Sequence, residues 1–240
     1  MRLLIVDDER PARERLRRML AAQTGIEAVE EAVDGIDALA QIESFKPDAL
    51  FLDIQMPELS GLELAASLPQ PAPLVVFVTA FDEYALRAFD ANAIDYLLKP
   101  FDEHRLQRAL TRLRERLMQG AYPATAIPAL GGEHQLSKLL VPERSATRVV
   151  PVADIEWIET ADNYVVLHTA QGQPLLRQTL THLLAQLGER FVRCHRRAAV
   201  QAALVERIVP LDKGDCELEL KSGRRVPCSR QYRAAVLERL

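Results

Sequence analysis

Two folds in series are predicted for this chain: a doubly wound α/β domain with a five-stranded parallel sheet over residues 1–118, and a mostly β domain over residues 135–240. Three observations predict them. Short apolar runs alternate five times with helix-period segments in the first half, and short alternating runs broken by turns fill most of the second. Between them Gln119-Gly120-Ala121-Tyr122-Pro123-Ala124, followed by Pro128, Gly131 and Gly132, has the composition of a linker, taken as 119–134. The length of 240 residues suits two domains, and 48% apolar against 27% charged residues is a globular composition, which sets disorder aside.

In the first half the strands are expected at 3–6, 28–33, 49–52, 74–78 and 94–98. Apart from 28–33, which holds Glu30 and Glu31 between alanines and valines, they are apolar runs rich in Val, Ile, Leu and Phe, the pattern of a strand covered on both faces. Helices are expected near 11–22, 35–45, 60–68, 83–91 and 102–118, the first opened by Pro11 in its first turn. In the second half the strand-like runs are 139–141, 148–152, 155–158, 164–169, 174–177, 204–211, 216–220 and 225–227. Only 179–187 and 232–240 read as helices.

Charge divides with the fold. Residues 1–118 hold 14 Lys/Arg against 21 Asp/Glu, and residues 119–240 hold 16 against 13. Only the second half is suited to a polyanion. No stretch approaches the ~20 apolar residues of a membrane span, and Met1-Arg2-Leu3-Leu4-Ile5-Val6 turns acidic at Asp7 too early for a secretory signal. A cytoplasmic protein without membrane insertion is expected. Cys194, Cys216 and Cys228 form an odd set with no C-x-x-C spacing, so reduced, packed thiols are favoured over disulfides or zinc. His104, His134, His168 and His182 have no metal-binding pattern, and Trp157 reads as core.

Doubly wound sheets bind ligands beyond the carboxyl ends of their strands. At those ends stand Asp7-Asp8, Asp53, Thr79 and Lys99-Pro100. Three converging carboxylates repel one another unless a cation compensates, and a hard, oxygen-seeking ion such as Mg²⁺, which leaves coordination positions for phosphate oxygens, meets that need. The plainer alternatives are that Asp7-Asp8 caps the next helix and that Lys99-Pro100 is simple punctuation. No glycine-rich nucleotide loop is present in this half.

Val6-Asp7-Asp8-Glu9, the block Leu52-Asp53-Ile54-Gln55-Met56-Pro57 with Gly61-Leu62, Thr79-Ala80, and Asp95-Tyr96-Leu97-Leu98-Lys99-Pro100 resemble the receiver domain of bacterial two-component response regulators, a flavodoxin-like fold. The resemblance implies that Asp53 accepts a phosphoryl group from a sensor histidine kinase. It further implies that Asp8, Asp53 and the Gln55 carbonyl bind Mg²⁺, with Asp7 assisting through water. Thr79 would meet a phosphoryl oxygen, Lys99 would pair with the phosphate, and Tyr96 would change rotamer with the state. It also implies a cis Lys99-Pro100 bond, and signalling through the segments near 83–91, 94–98 and 102–118.

The second half lacks a long basic helix, zinc-finger spacing and a helix-turn-helix pair, so any DNA reading must come from loops. Its cations gather at Arg193-Cys194-His195-Arg196-Arg197 and from Arg224-Arg225 to Arg230 and Arg233, which as residues alone could equally be solvated loops. Ile158-Glu159-Thr160-Ala161-Asp162-Asn163-Tyr164, the 180–187 helix, Phe191-Val192-Arg193-Cys194-His195-Arg196 and Val226-Pro227-Cys228-Ser229-Arg230 resemble the LytTR DNA-binding domain. Together the halves are similar to LytR/AlgR-type transcriptional regulators. The implied contacts to double-stranded DNA are Asn163, Arg193, His195, Arg196, Arg197, Ser229, Arg230, Gln231 and Arg233. Arg230-Gln231 replaces a pair of arginines common in the family, and Arg197-Ala198-Ala199-Val200-Gln201 departs from its usual continuation.

The expected function is therefore a phosphorylation-dependent, sequence-specific DNA-binding regulator that pairs with a second copy on activation to occupy promoter repeats. The alternative is a receiver controlling a protein-binding output module. A metal-dependent phosphatase with an aspartyl nucleophile is disfavoured, because its second acid normally stands two positions after the first, whereas Asp7 and Asp8 are adjacent.

Overall fold

Residues 1–69, 71–80, 93–119, 136–143, 146–211 and 214–240 are described by the structure, a computed structural model. The helix expected at 83–91 lies outside them, as do His134 and all of the expected linker except Gln119. The chain divides into two units, Met1–Pro128 and Ala129–Leu240.

In the first unit, strands β1 (Arg2–Val6), β2 (Ala28–Ala32), β3 (Ala49–Leu52), β4 (Leu74–Thr79) and β5 (Asp95–Leu98) form an all-parallel sheet in the order β2-β1-β3-β4-β5. Helices α1 (Arg10–Ala21), α2 (Gly35–Phe45), α3 (Gly61–Ser67) and α4 (Glu103–Met118) lie between or after them. Each start has a local cause. Pro11 occupies the first turn of α1, Asp34 accepts the Ile36 and Asp37 amides, Ser60 and Glu63 form a capping box, and Asp102 accepts the Arg105 amide. One face of the sheet packs Leu3, Ile5, Phe51, Val76 and Leu97 against Leu16 and Leu20 of α1 and Leu106, Leu110 and Leu113 of α4. The alternate residues Leu4, Val6, Leu50 and Leu52 are equally buried, so neither face of β1 and β3 is open to water and those strands read as unbroken apolar runs, whereas the edge strand β2 carries Glu30 and Glu31.

The second unit is antiparallel. Its strands are β6 (Lys138–Pro142), β7 (Thr147–Pro151), β8 (Ile155–Ala161), β9 (Tyr164–Thr169), β10 (Leu175–Leu176), β11 (Phe191–His195), β12 (Ala198–Gln201), β13 (Val205–Pro210), β14 (Cys216–Leu220) and β15 (Arg225–Cys228). They make a five-stranded sheet β10-β9-β8-β12-β11, a three-stranded sheet β13-β14-β15 and a β6-β7 hairpin. Val192, Cys194, Ala198 and Val200 of the larger sheet meet Cys216, Leu218, Leu220, Val226 and Cys228 of the smaller one in a shared core, which Val236 also enters. Helix α5 (Leu180–Leu187) is capped by Thr179, and α6 spans only Arg233–Leu237, shorter than the 232–240 pattern suggested. β11 and β12 were not legible as strands. The Arg-Cys-His-Arg-Arg run hides their alternation, and pairing with β8 makes the hairpin part of a sheet.

All three cysteines are free and buried, with Cys216 directly opposite Cys228 and Cys194 in the same core. Burial pushes the Cys194 and Cys228 thiols up to about 12, which starves them of the reactive thiolate and suits a packing role. Trp157 is half-buried against this core and stacks on His168 at 3.7 Å between ring centroids.

Burial lowers the pKa of His168, although Glu159 at 3.5 Å works against the shift, and it lowers that of His182 as well. The unfolded chain therefore takes up protons near the usual 6.5 that the folded unit refuses. The stability these neutral rings contribute is present above 6.5 and is lost as pH falls through their lower folded values. Urea midpoints are expected to drop between about pH 7.5 and about pH 5.5, and His182→Gln should flatten that drop. A wild-type midpoint unchanged by pH would contradict the role of burial.

Candidate functional site

The ladder of the parallel sheet continues one residue past two of its strands: the Asp7 amide donates to the Ala32 carbonyl at 3.3 Å and the Asp53 amide to that of Val6 at 2.8 Å. This places the acids of β1 and β3 side by side. Asp7 and Asp53 are buried and Asp8 is exposed, and one carboxylate oxygen of each lies within 4.8 Å of the other two. Lys99 closes the cluster, its Nζ donating to Asp7 Oδ2 at 2.6 Å and to Asp53 Oδ2 at 2.7 Å. The other carboxylate oxygens accept amides, Asp7 Oδ1 from Glu9 at 2.9 Å and Asp53 Oδ1 from the exposed Gln55 at 3.2 Å.

The plainer readings of these residues fail. The cap residue of α1 is Glu9, whose side chain makes no cap bond, so helix capping does not account for Asp7-Asp8. Lys99 is more than punctuation, since its side chain enters the acidic cluster. The Lys99-Pro100 bond is cis, and the Lys99 amide donates to the Thr79 carbonyl at 2.7 Å. Thr79 is fully buried, and its hydroxyl has no hydrogen-bond partner among the described residues. Tyr96 is buried on β5.

Electrostatically the cluster is short of positive charge. Burial alone would lower the Lys99 pKa, but its hydrogen bonds to Asp53 and Asp7 outweigh that and raise it, so the ammonium is held firmly. Burial raises the pKa of Asp53, partly offset by Lys99 and reinforced by Asp7. One ammonium among three carboxylates leaves an all-oxygen donor set that fits a hard divalent cation.

Two residues of this site were missed in the sequence. Arg13 is buried on α1 and donates through Nη1 to the carbonyls of Asp7 at 2.7 Å and Asp8 at 3.2 Å, while its Nε meets Glu31 at 3.2 Å. It fixes the backbone of the acidic loop, and no sequence signal separates it from the neighbouring surface arginines. Gly61, to which the receiver resemblance assigned no role, approaches the loop after β3 so closely that a Cβ on it would lie 2.0 Å from the Asp53 carbonyl oxygen.

In the second unit the expected DNA contacts fall on three tied segments. Ala161 pairs with Tyr164 across a two-residue turn, Asp162-Asn163, with Asp162 at φ 50°. The 195–197 turn joins β11 to β12, so Arg193 and His195 stand on a strand and not in a solvated loop. The two turns are linked by the Thr160 amide donating to the Arg197 carbonyl at 2.8 Å and by Arg197 Nη2 donating to the Thr160 carbonyl at 2.9 Å. The third segment is joined to β11 by the Ser229 amide donating to the Cys194 carbonyl at 3.0 Å. Asn163, Arg196, Arg197, Arg230 and Gln231 are exposed, whereas Arg193, His195, Ser229 and Arg233 are half-buried. Backbone and side-chain bonds thus tie the three segments together, with exposed side chains on each.

A parallel sheet of this order with a lysine-bridged aspartate cluster at its carboxyl rim, followed by an antiparallel module presenting arginines on turns, defines a two-component response regulator with a DNA-binding output. The chain belongs to the response regulators that join a receiver domain to a LytTr DNA-binding domain: residues 3–111 match the response regulator receiver domain and residues 145–240 the LytTr DNA-binding domain. It is 39% identical to an uncharacterized response regulatory protein of Yersinia pestis, covering 100% of this chain and 98% of that one. It is 37% identical to the transcriptional regulatory protein BtsR of Escherichia coli strain K12, covering 99% and 98%. It is also 39% identical to the positive alginate biosynthesis regulatory protein of Pseudomonas aeruginosa, covering 98% and 97%. The protein is a transcriptional regulator rather than an enzyme, and receiver domains use Mg²⁺ at an acidic pocket of this kind. Among the described residues no helix is long and apolar enough to cross a membrane.

Proposed function

We propose that Asp53 is the phosphoryl acceptor of this regulator and that its phosphorylation controls sequence-specific binding of the second unit to duplex DNA. The observation that carries this reading is Lys99 bridging Asp7 and Asp53 at 2.6 and 2.7 Å on the rim where the buried Thr79 hydroxyl lacks a partner among the described residues. The receiver is taken as 1–118 and the DNA-binding module as 135–240, joined by 119–134.

Asp53 in its ionised form attacks the phosphorus in line. The new bond from its oxygen to phosphorus forms as the bond to the histidine nitrogen of a sensor kinase breaks, and the histidine leaves with the electron pair. Asp8, Asp53 and the Gln55 carbonyl would hold Mg²⁺, with Asp7 assisting, and the bound ion would supply neutralisation of charge on the phosphoryl oxygens. Lys99 transfers its hydrogen bond from the Asp53 carboxylate to a phosphoryl oxygen. The Thr79 hydroxyl donates to another, and Tyr96 follows by changing rotamer, so that a local contact biases a two-state surface. Two activated copies pair, and their modules engage repeated half-sites through Asn163, His195, Arg196, Arg197, Ser229, Arg230, Gln231 and Arg233, some gripping bases and the rest phosphates.

Selection of duplexes from random DNA by the full chain, with and without acetyl phosphate and Mg²⁺, tests this. Enrichment of a repeated motif is expected, with affinity for it rising when the phosphodonor is present. Absence of any enriched sequence would favour a protein-binding output instead.

A further inference from the structure

Arg193 is among the DNA contacts that the resemblance implies, and its side chain is also engaged by the protein. Three of the five N–H donors of its guanidinium go to the protein: Nε donates to the His195 carbonyl at 3.3 Å, Nη2 to the Arg196 carbonyl at 2.7 Å, and Nη1 to the Thr181 hydroxyl at 3.1 Å. Its Cζ lies over the Tyr232 ring, 5.9 Å from the centroid. These partners come from the 195–197 turn, from the first turn of α5 and from the segment leading into α6. The turn also needs support, because the β11-β12 register shifts between Arg193 and His195, leaving irregular ladder where Arg196 is presented. Arg196, by contrast, is exposed, and its side chain has no protein partner among the described residues.

We infer that Arg193 is a positioning residue: it holds the Arg196-bearing turn and the Tyr232 segment in one arrangement, so that it sets the specificity of DNA binding without contacting DNA. This rests on the DNA-binding reading above. A planar fork with divergent donors suits the task, since it reaches two carbonyls and a hydroxyl from three separate nitrogens, which a single ammonium cannot do.

The test uses the full-length chain with Mg²⁺ and acetyl phosphate, the duplex it selects from random DNA, and a scrambled duplex of equal length and composition. Arg193→Ala is expected to weaken binding to the selected duplex about 10-fold or more, to leave the scrambled duplex within about 2-fold, and to leave the slope of log K against log salt unchanged. Arg193→Lys should behave like the alanine variant. Thr181→Val, which alters no charge, should cost roughly 2- to 5-fold on the selected duplex alone and keeps the test open if Arg193→Ala fails to fold. Rescue by lysine, or a slope reduced by about 1 on both duplexes, would show a phosphate contact and overturn the inference. In the absence of DNA, the amides of residues 195–197 should exchange hydrogen faster in Arg193→Lys than in wild type. Unchanged exchange overturns the brace on its own, whereas a wild-type chain that selects no duplex overturns the DNA-binding reading instead.

Discussion

Asp53→Asn is expected to abolish incorporation of phosphate from acetyl phosphate or a phosphorylated kinase. The substitution is nearly isosteric, so the rim keeps its shape while the nucleophile loses its charge, and a neutral amide oxygen does not attack phosphorus at a useful rate. Lys99 retains its 2.6 Å bond to Asp7. The fold is not expected to suffer. Burial raises the Asp53 pKa, so the folded state holds that proton more tightly than the unfolded chain does. The stability this contributes is present below the unfolded value and is lost as pH rises through the folded one, so at neutral pH the ionised group is a cost that the amide removes. Wild-type chain should carry one hydroxylamine-sensitive phosphate and the variant none, at a melting temperature no lower than that of wild type. Equal labelling of the two would remove Asp53 from the mechanism.

Arg196→Ala carries the second large effect. The side chain is exposed and uncommitted among the described residues, so its removal should leave the folded module intact while deleting a donor pair able to grip guanine O6 and N7. The expected loss is about 1–3 kcal/mol, or roughly 5- to 150-fold in affinity for the selected duplex. Binding to duplexes carrying each base substitution in turn identifies the role. A base contact makes the variant indifferent at one position, whereas a phosphate contact weakens all sequences alike and lowers the salt slope by about 1. Affinity unchanged across every sequence and salt concentration would dismiss Arg196 from the interface.

Much of the first unit was legible because its signals are local. An apolar run covered on both faces, or a proline in the first turn of a helix, depends on neighbours a few positions away, and the rim residues follow from where each run stops. Arg13 escaped for the opposite reason. In the sequence it is one of several arginines between positions 10 and 18, and only the packing of α1 brings its guanidinium to the Asp7 and Asp8 carbonyls. The β11-β12 hairpin was lost in the same way, its alternation interrupted by the charged run at its tip.

The amino-acid order by itself determined the two architectures, the acids and lysine of the crevice, and the segments that carry cations. Only the tertiary structure decided which cations the protein itself engages. Arg193 and Arg196 are chemically identical and three positions apart, but one is surrounded by carbonyls, a hydroxyl and a ring while the other faces water. An arginine's role follows from the acceptors within about 3 Å of its nitrogens. Those acceptors come from distant parts of the chain, whose meeting is settled by burial of the core and not by the residues on either side.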